Sequence, residues 1–179
     1  MRHVAPDDIQ AAALTDWMDR HHVEVIRTHA TNLDGVALGK YLKREKFLGS
    51  LPDGHAIADV ALAMDLDGVP FSTLWHPYRH AVLGDLMLQP DLRTLLTDGH
   101  DPDLAHVICN FVSLAGEPIE LCPRTLLGGQ VDALNAAGFE SRVAFELEFF
   151  LFEEDFATAR AQGFQNLTPV TNRPQHSVF

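Results

Sequence analysis

Phe139-Glu140-Ser141-Arg142-Val143-Ala144-Phe145-Glu146-Leu147-Glu148-Phe149-Phe150-Leu151-Phe152 decides how the chain is read. Strand periodicity puts Val143, Phe145, Leu147, Phe149 and Leu151 on one face, and Ala144, Glu146, Glu148, Phe150 and Phe152 on the other. Two glutamates then point to the same side of a largely apolar strand, with Cα atoms roughly 6.6–6.8 Å apart. A strand this apolar is expected to be buried. Two carboxylates there repel each other and lose hydration, so a cation, a metal or a watery cavity must compensate. Hard divalent ions such as Mg²⁺ or Mn²⁺ take carboxylate oxygens and keep water in their other positions. An edge strand with solvated glutamates and a salt-bridged structural pair stay open. A paired-carboxylate glycosidase competes only formally, because its acids flank the substrate from opposite sides.

Upstream of this strand, Pro123 to Ala137 has the strongest helix signature. Pro123 suits a first turn, Leu127, Val131 and Leu134 share a face, and Gly138 can cap the end. A composition shift at residues 115–123 separates this pair from what precedes it. The earlier part reads as a helix from Pro6 to His22, strands near Val23–Ala30 and Val36–Tyr41, a short helix from Lys43 to Leu51, and strands at Asp85–Asp91 and Ala105–Val112. Asn32-Leu33-Asp34-Gly35 joins the first two strands as a turn. Ala56 to Met64 is apolar and fits either a strand or a helix. Residues 65–84 read as a long loop holding Asp65, Asp67, Trp75, His76 and His80. The fold class is α+β, with an N-terminal helix at 1–22, a small mixed domain at 23–115 and the start of another at 116–179.

Composition narrows the function. With 13 Lys and Arg against 25 Asp and Glu, the net charge is −12, and 46% of residues are apolar. That is a globular profile. It disfavours nucleic acid and anionic lipid, which need basic surfaces, and suits cationic partners such as ammonium, amines or divalent metals. No apolar run approaches a membrane span or a signal core. Cys109 and Cys122 are too few for a disulfide scaffold, which leads to an expected cytoplasmic location with reduced, inert thiols. The histidines read as structural or surface groups. Lys40, Lys43, Arg44 and Lys46 read as a solvated basic face. Gly128-Gly129 lies inside a helix and is no phosphate loop.

Several pieces, in order, resemble the glutamine synthetase family. They are Asn32-Leu33-Asp34-Gly35-Val36-Ala37-Leu38-Gly39-Lys40, Asp85 to Thr94, Gly116-Glu117-Pro118 with Cys122-Pro123-Arg124-Thr125-Leu126-Leu127, and above all Phe145 to Phe152. The resemblance implies a β-grasp-like N-terminal domain followed by the first helix and strand of a catalytic domain. It implies an ATP-dependent ligase that phosphorylates the γ-carboxylate of glutamate and couples it to ammonia or an amine. Mg²⁺ or Mn²⁺ would offset the charge crowding, with Glu146 and Glu148 matching two metal-ligand glutamates. It further implies homo-oligomeric rings and a loop aspartate that binds and deprotonates ammonium. Asp65 is the first candidate for that aspartate and Asp67 the second.

Leu38 stands where many relatives carry Arg, and the Asp65 loop lacks the Gly-Ser-Ser run of bacterial enzymes. The Glu146–Glu148 strand and Arg173-Pro174-Gln175-His176-Ser177 are more similar to the glutamate–polyamine ligase branch. The 179 residues are expected to be a domain and a fraction, without ligase turnover of their own. The alternative is a non-catalytic shortened homologue serving as an assembly or regulatory module of a ligase ring.

Overall fold

The structure is a computed structural model that describes residues 11–70 and 84–171. The start of the first helix, the Trp75–His80 cluster and the Arg173–Ser177 stretch lie outside those residues. The chain divides into two compact units, Met1–Glu140 and Ser141–Phe179.

In the first unit the order is α1 (Ala11–His21), β1 (Val25–Thr31), β2 (Ala37–Lys43), α2 (Arg44–Leu48), β3 (His55–Ala58), β4 (Asp85–Pro90), β5 (Leu96–Thr97), β6 (Leu104–Val112) and α3 (Pro123–Ala136). Short 3₁₀ turns follow β3 and β4. The sheet order is β2-β1-β6-β4-β3, with β5 added on β6. β1 and β6 run parallel, and every other pairing is antiparallel. This is the mixed helix-and-strand architecture expected of an α+β chain.

Alternation builds the core. Ile26, Thr28 and Ala30 of β1, Leu86 and Leu88 of β4, and Ala105, Val107, Cys109 and Phe111 of β6 are all buried. Leu14, Trp17 and Met18 of α1 and Phe47 of α2 pack into the same cluster. Side chains on alternate positions of each strand share one face, and burying that face drives the assembly.

The sheet curls until its two edges meet. Lys40 Nζ on β2 donates to the Ala56 carbonyl on β3 at 2.7 Å. Thr28 Oγ1 on β1 lies 2.9 Å from His55 Nε2 on β3, although β6 and β4 separate those strands in the sheet. Where β3 begins to pair with β4, the backbones approach closely at Gly54, whose φ is +89° and where a Cβ would stand 2.2 Å from the Leu88 carbonyl oxygen.

Residues 56–64, ambiguous in sequence, divide into β3 and a 3₁₀ turn at Asp59–Leu62. Residues 65–70 form a tight turn rather than the start of an irregular loop. Met64 bridges Pro70, and Gly68 takes a positive φ of 78°.

The second unit departs most from expectation. Residues 141–150 belong to no helix and pair with no strand among the described residues. Their apolar side chains are exposed instead of buried, with Phe145 at 94% and Leu147 at 86%. The cause is the lack of a neighbour: a strand is held by cross-strand bonds and an opposing apolar layer, and no described segment of this unit supplies either. Beyond it the chain closes on itself. Phe152 bridges Pro169, α4 (Phe156–Ala161) starts on an Asp155 cap, and the Phe156 and Phe164 rings lie 5.8 Å apart.

Candidate functional site

The two predicted metal glutamates lie in residues 139–150. Glu146 and Glu148 are exposed and make no hydrogen bond or ion pair among the described residues. No group of three or more His, Cys, Asp or Glu side chains able to hold a metal occurs among those residues. The donor chemistry suits a hard divalent ion, but the pair is at most part of a coordination shell. Glu154 is engaged differently. Its carboxylate accepts the Thr168 backbone N–H at 2.9 Å and the Thr168 hydroxyl at 2.7 Å, and these bonds hold its pKa down. It braces the local closure.

In the first unit, Asp65 Oδ1 accepts the N–H groups of Asp67 at 3.0 Å and of Val69 at 2.8 Å. This is the side-chain-to-backbone bonding by which aspartate organises turns, so one oxygen of Asp65 already has a structural task. Asp67 is exposed at the tip of the same turn. One tight turn thus presents two carboxylates.

A third carboxylate was missed in the sequence. Asp59 is 2% exposed, and neither of its oxygens has a hydrogen-bond partner among the described residues. Taking a carboxylate out of water without a partner is expensive, so the position suits a cation. The available signal was its place as the one acid inside the apolar run from Ala56 to Met64.

His55 is also engaged. The Thr28 hydroxyl donates to the Lys40 carbonyl at 3.1 Å, so its oxygen is left to accept from His55 Nε2–H at 2.9 Å. That fixes the Nε2–H tautomer and leaves Nδ1 buried without a partner. Burial, with Lys40 and Lys46 nearby, pushes the ring down to about 4. His55 is therefore a neutral structural histidine at pH 7. His106 pairs with Asp98 at 2.7 Å, and two backbone N–H groups from Asp101 and His100 help hold that carboxyl far below its usual range.

Where β4, β6 and α3 converge, Arg124 Nη2 donates to Asp91 Oδ2 at 2.6 Å, and its Nη1 donates to Asn110 Oδ1 at 2.8 Å. Arg93 donates to both oxygens of Asp91 at 2.9 and 3.0 Å. Burial opposes ionisation of Asp91, yet the hydrogen bonds from Arg93 and Arg124 prevail and bring it to about 2. A groove of about 640 Å³ runs beside this cluster, lined by Gln89, Asn110, Arg124, Thr125 and Val131 among others. Cys109 and Cys122 are both buried, and burial raises the Cys109 thiol to about 12, which removes it as a nucleophile at neutral pH.

Residues 120–178 match the family described as the glutamine synthetase catalytic domain. Over 167 residues the chain is 30% identical to a glutamate–isopropylamine ligase of a Pseudomonas species, covering 90% of this chain and 35% of that protein. It is 25% identical over 147 residues to a type-1 glutamine synthetase of Dictyostelium discoideum, covering 82% of this chain and 28% of that one. Among solved structures, a Plasmodium falciparum glutamine synthetase superposes with a TM-score of 0.57 at 19% identity, over 77% of this chain and 24% of that one. The chain spans about a third of the length of the curated relatives it matches. The ordered motifs, the catalytic-domain match and the shared fold agree, and the chain belongs to the glutamine synthetase family, whose relatives here include the glutamate–amine ligase branch.

Proposed function

We propose that these residues are the N-terminal portion of an ATP-dependent ligase that activates the γ-carboxylate of glutamate and joins it to ammonia or an amine. The observation that carries this reading is the similarity to a glutamate–isopropylamine ligase along 90% of the chain, with the catalytic-domain match running through Glu146 and Glu148. An amine acceptor is favoured over ammonia by that relative and by a second one, a γ-glutamylethanolamide synthetase of Streptomyces coelicolor at 26% identity over 144 residues.

In this reading Glu146 and Glu148 supply hard oxygen donors to Mg²⁺ or Mn²⁺, which offsets the charge between ATP and glutamate when bound. Asp65 and Asp67 are proposed to attract the cationic form of the nucleophile and take up its proton. Asp59 joins them, because its oxygens are unengaged whereas Asp65 Oδ1 is spent on its turn. The β-grasp assignment is supported by the β1–β2 hairpin and the parallel β1–β6 pair. The proposed domain division is 1–22, 23–115 and 116–179, and the proposed setting is a homo-oligomeric ring in the cytoplasm. No described helix is long and apolar enough to cross a membrane.

The test is amide formation from glutamate, ATP and a panel of amines, by the longer protein carrying this sequence and by the 179-residue chain alone. Amide with stoichiometric ADP from the first and none from the second is expected. Turnover by the chain alone would refute its reading as a portion. The second reading is a short assembly module. It requires a stop codon after Phe179 and binding to a full-length ligase.

A further inference from the structure

We infer that Arg124 is a positioning residue that clasps the start of the catalytic-domain segment onto the sheet. What the clasp serves rests on the ligase reading, whereas its geometry does not.

The matched segment begins at residue 120, and α3 is its first helix. That helix has no buried side chain. Leu126, Leu127 and Leu134 are all exposed, so apolar packing does not hold it. Only the approach is anchored, through the fully buried Ile119 and Cys122. An apolar anchor at one end of a helix permits it to swing. Arg124, in the first turn, removes that freedom. Its guanidinium fork reaches Asp91 just after β4 and Asn110 on β6, so two neighbouring sheet elements hold one planar group. A planar fork spanning two acceptors fixes direction as well as distance. Asp91 is itself held, at 8% side-chain exposure, by the Arg93 N–H and guanidinium. The groove beside the cluster marks where α3 stands off the sheet, which leaves the clasp as its polar tie.

The consequence is that Arg124 sets the direction in which α3 leaves the sheet. A lysine keeps the charge but offers a single ammonium, which cannot bridge both acceptors in one plane.

Hydrogen exchange of the 179-residue chain tests this directly. In Arg124→Gln and Asp91→Asn, the slowest α3 amides are expected to exchange about tenfold faster, while β1 and β6 amides stay within about twofold of wild type. Arg124→Lys is expected to resemble Arg124→Gln. Unchanged α3 exchange would overturn the inference. So would acceleration of α3, β1 and β6 together, which would make Arg124 a contributor to general stability. Full rescue by lysine would overturn the bridging role. The measurement uses neither ATP nor amine, so a failure of the ligase reading leaves it intact, and its own failure leaves the ligase assay to decide the function.

Discussion

Acid should weaken the first unit through His55. The ring is 7% exposed, donates to Thr28 through Nε2, and has a buried Nδ1 with no partner. Protonating Nδ1 would create a buried charged N–H facing no acceptor, with Lys40 and Lys46 adding repulsion. The folded state therefore holds the ring at about 4, against an ordinary 6.5. The unfolded chain takes up the proton first, so the stability this residue contributes is complete above pH 6.5 and is lost as pH falls from 6.5 towards 4. At about 1.4 kcal/mol per pH unit the ceiling is about 3 kcal/mol, and relaxation around the charged ring brings the working figure to about 1–2 kcal/mol. Asp91, held near 2, keeps its charge through this window. His29 is also lowered, by burial, His106 and Arg27, so a variant must isolate His55. His55→Gln retains an N–H for Thr28 and cannot titrate. Urea unfolding at pH 7 and pH 4.5 is the assay. Wild type is expected to lose about 1–2 kcal/mol more than His55→Gln between the two pH values. Equal losses would refute the reasoning.

Other outcomes follow from packing and charge. Gly54→Ala should destabilise by at least about 1–3 kcal/mol, because it combines a positive φ with a 2.2 Å approach to the Leu88 carbonyl oxygen; a shift in the urea midpoint reads it. Phe111→Ala removes a fully buried ring from β6 and should cost about 3–5 kcal/mol by the same measurement. Asp59→Asn replaces a buried carboxyl that has no hydrogen-bond partner among the described residues, and should raise stability yet weaken amine use in the longer protein. A rise in melting temperature with unchanged amine KM would confine Asp59 to a structural role. Glu146→Gln with Glu148→Gln should reduce Mn²⁺ affinity of the longer protein by at least about tenfold in titration calorimetry, and unchanged affinity would remove them from the metal site.

The sheet was legible because its strands alternate. Ile26, Thr28 and Ala30, or Val107, Cys109 and Phe111, each mark a buried face that a local reading detects. The curl was not legible, because Lys40–Ala56 and Thr28–His55 join residues 16 and 27 apart through strands that are not neighbours in the sheet. The burial expected of Phe145 and Leu147 failed because period-2 hydrophobicity reports a surface to be covered, not what covers it. Asp65 was legible as a loop acid, but its capping of Asp67 and Val69 N–H groups is a property of the folded turn. Asp59 passed unnoticed because it sits in an apolar run too short to assign to a strand or a helix. Arg124 carries no local signal beyond resemblance, since its partners Asp91 and Asn110 lie 33 and 14 residues away.

The proposed glutamate–amine ligase activity is tested by one assay. The longer protein carrying residues 1–179 is supplied with glutamate, ATP, Mg²⁺ and each of a set of amines, while amide and ADP are quantified together. Expected is one ADP per γ-glutamyl amide, with a preference among amines and at least about a hundredfold loss in Glu148→Gln. Amide formed without ATP cleavage, no amide from any amine or ammonia, or full activity in Glu148→Gln would contradict it.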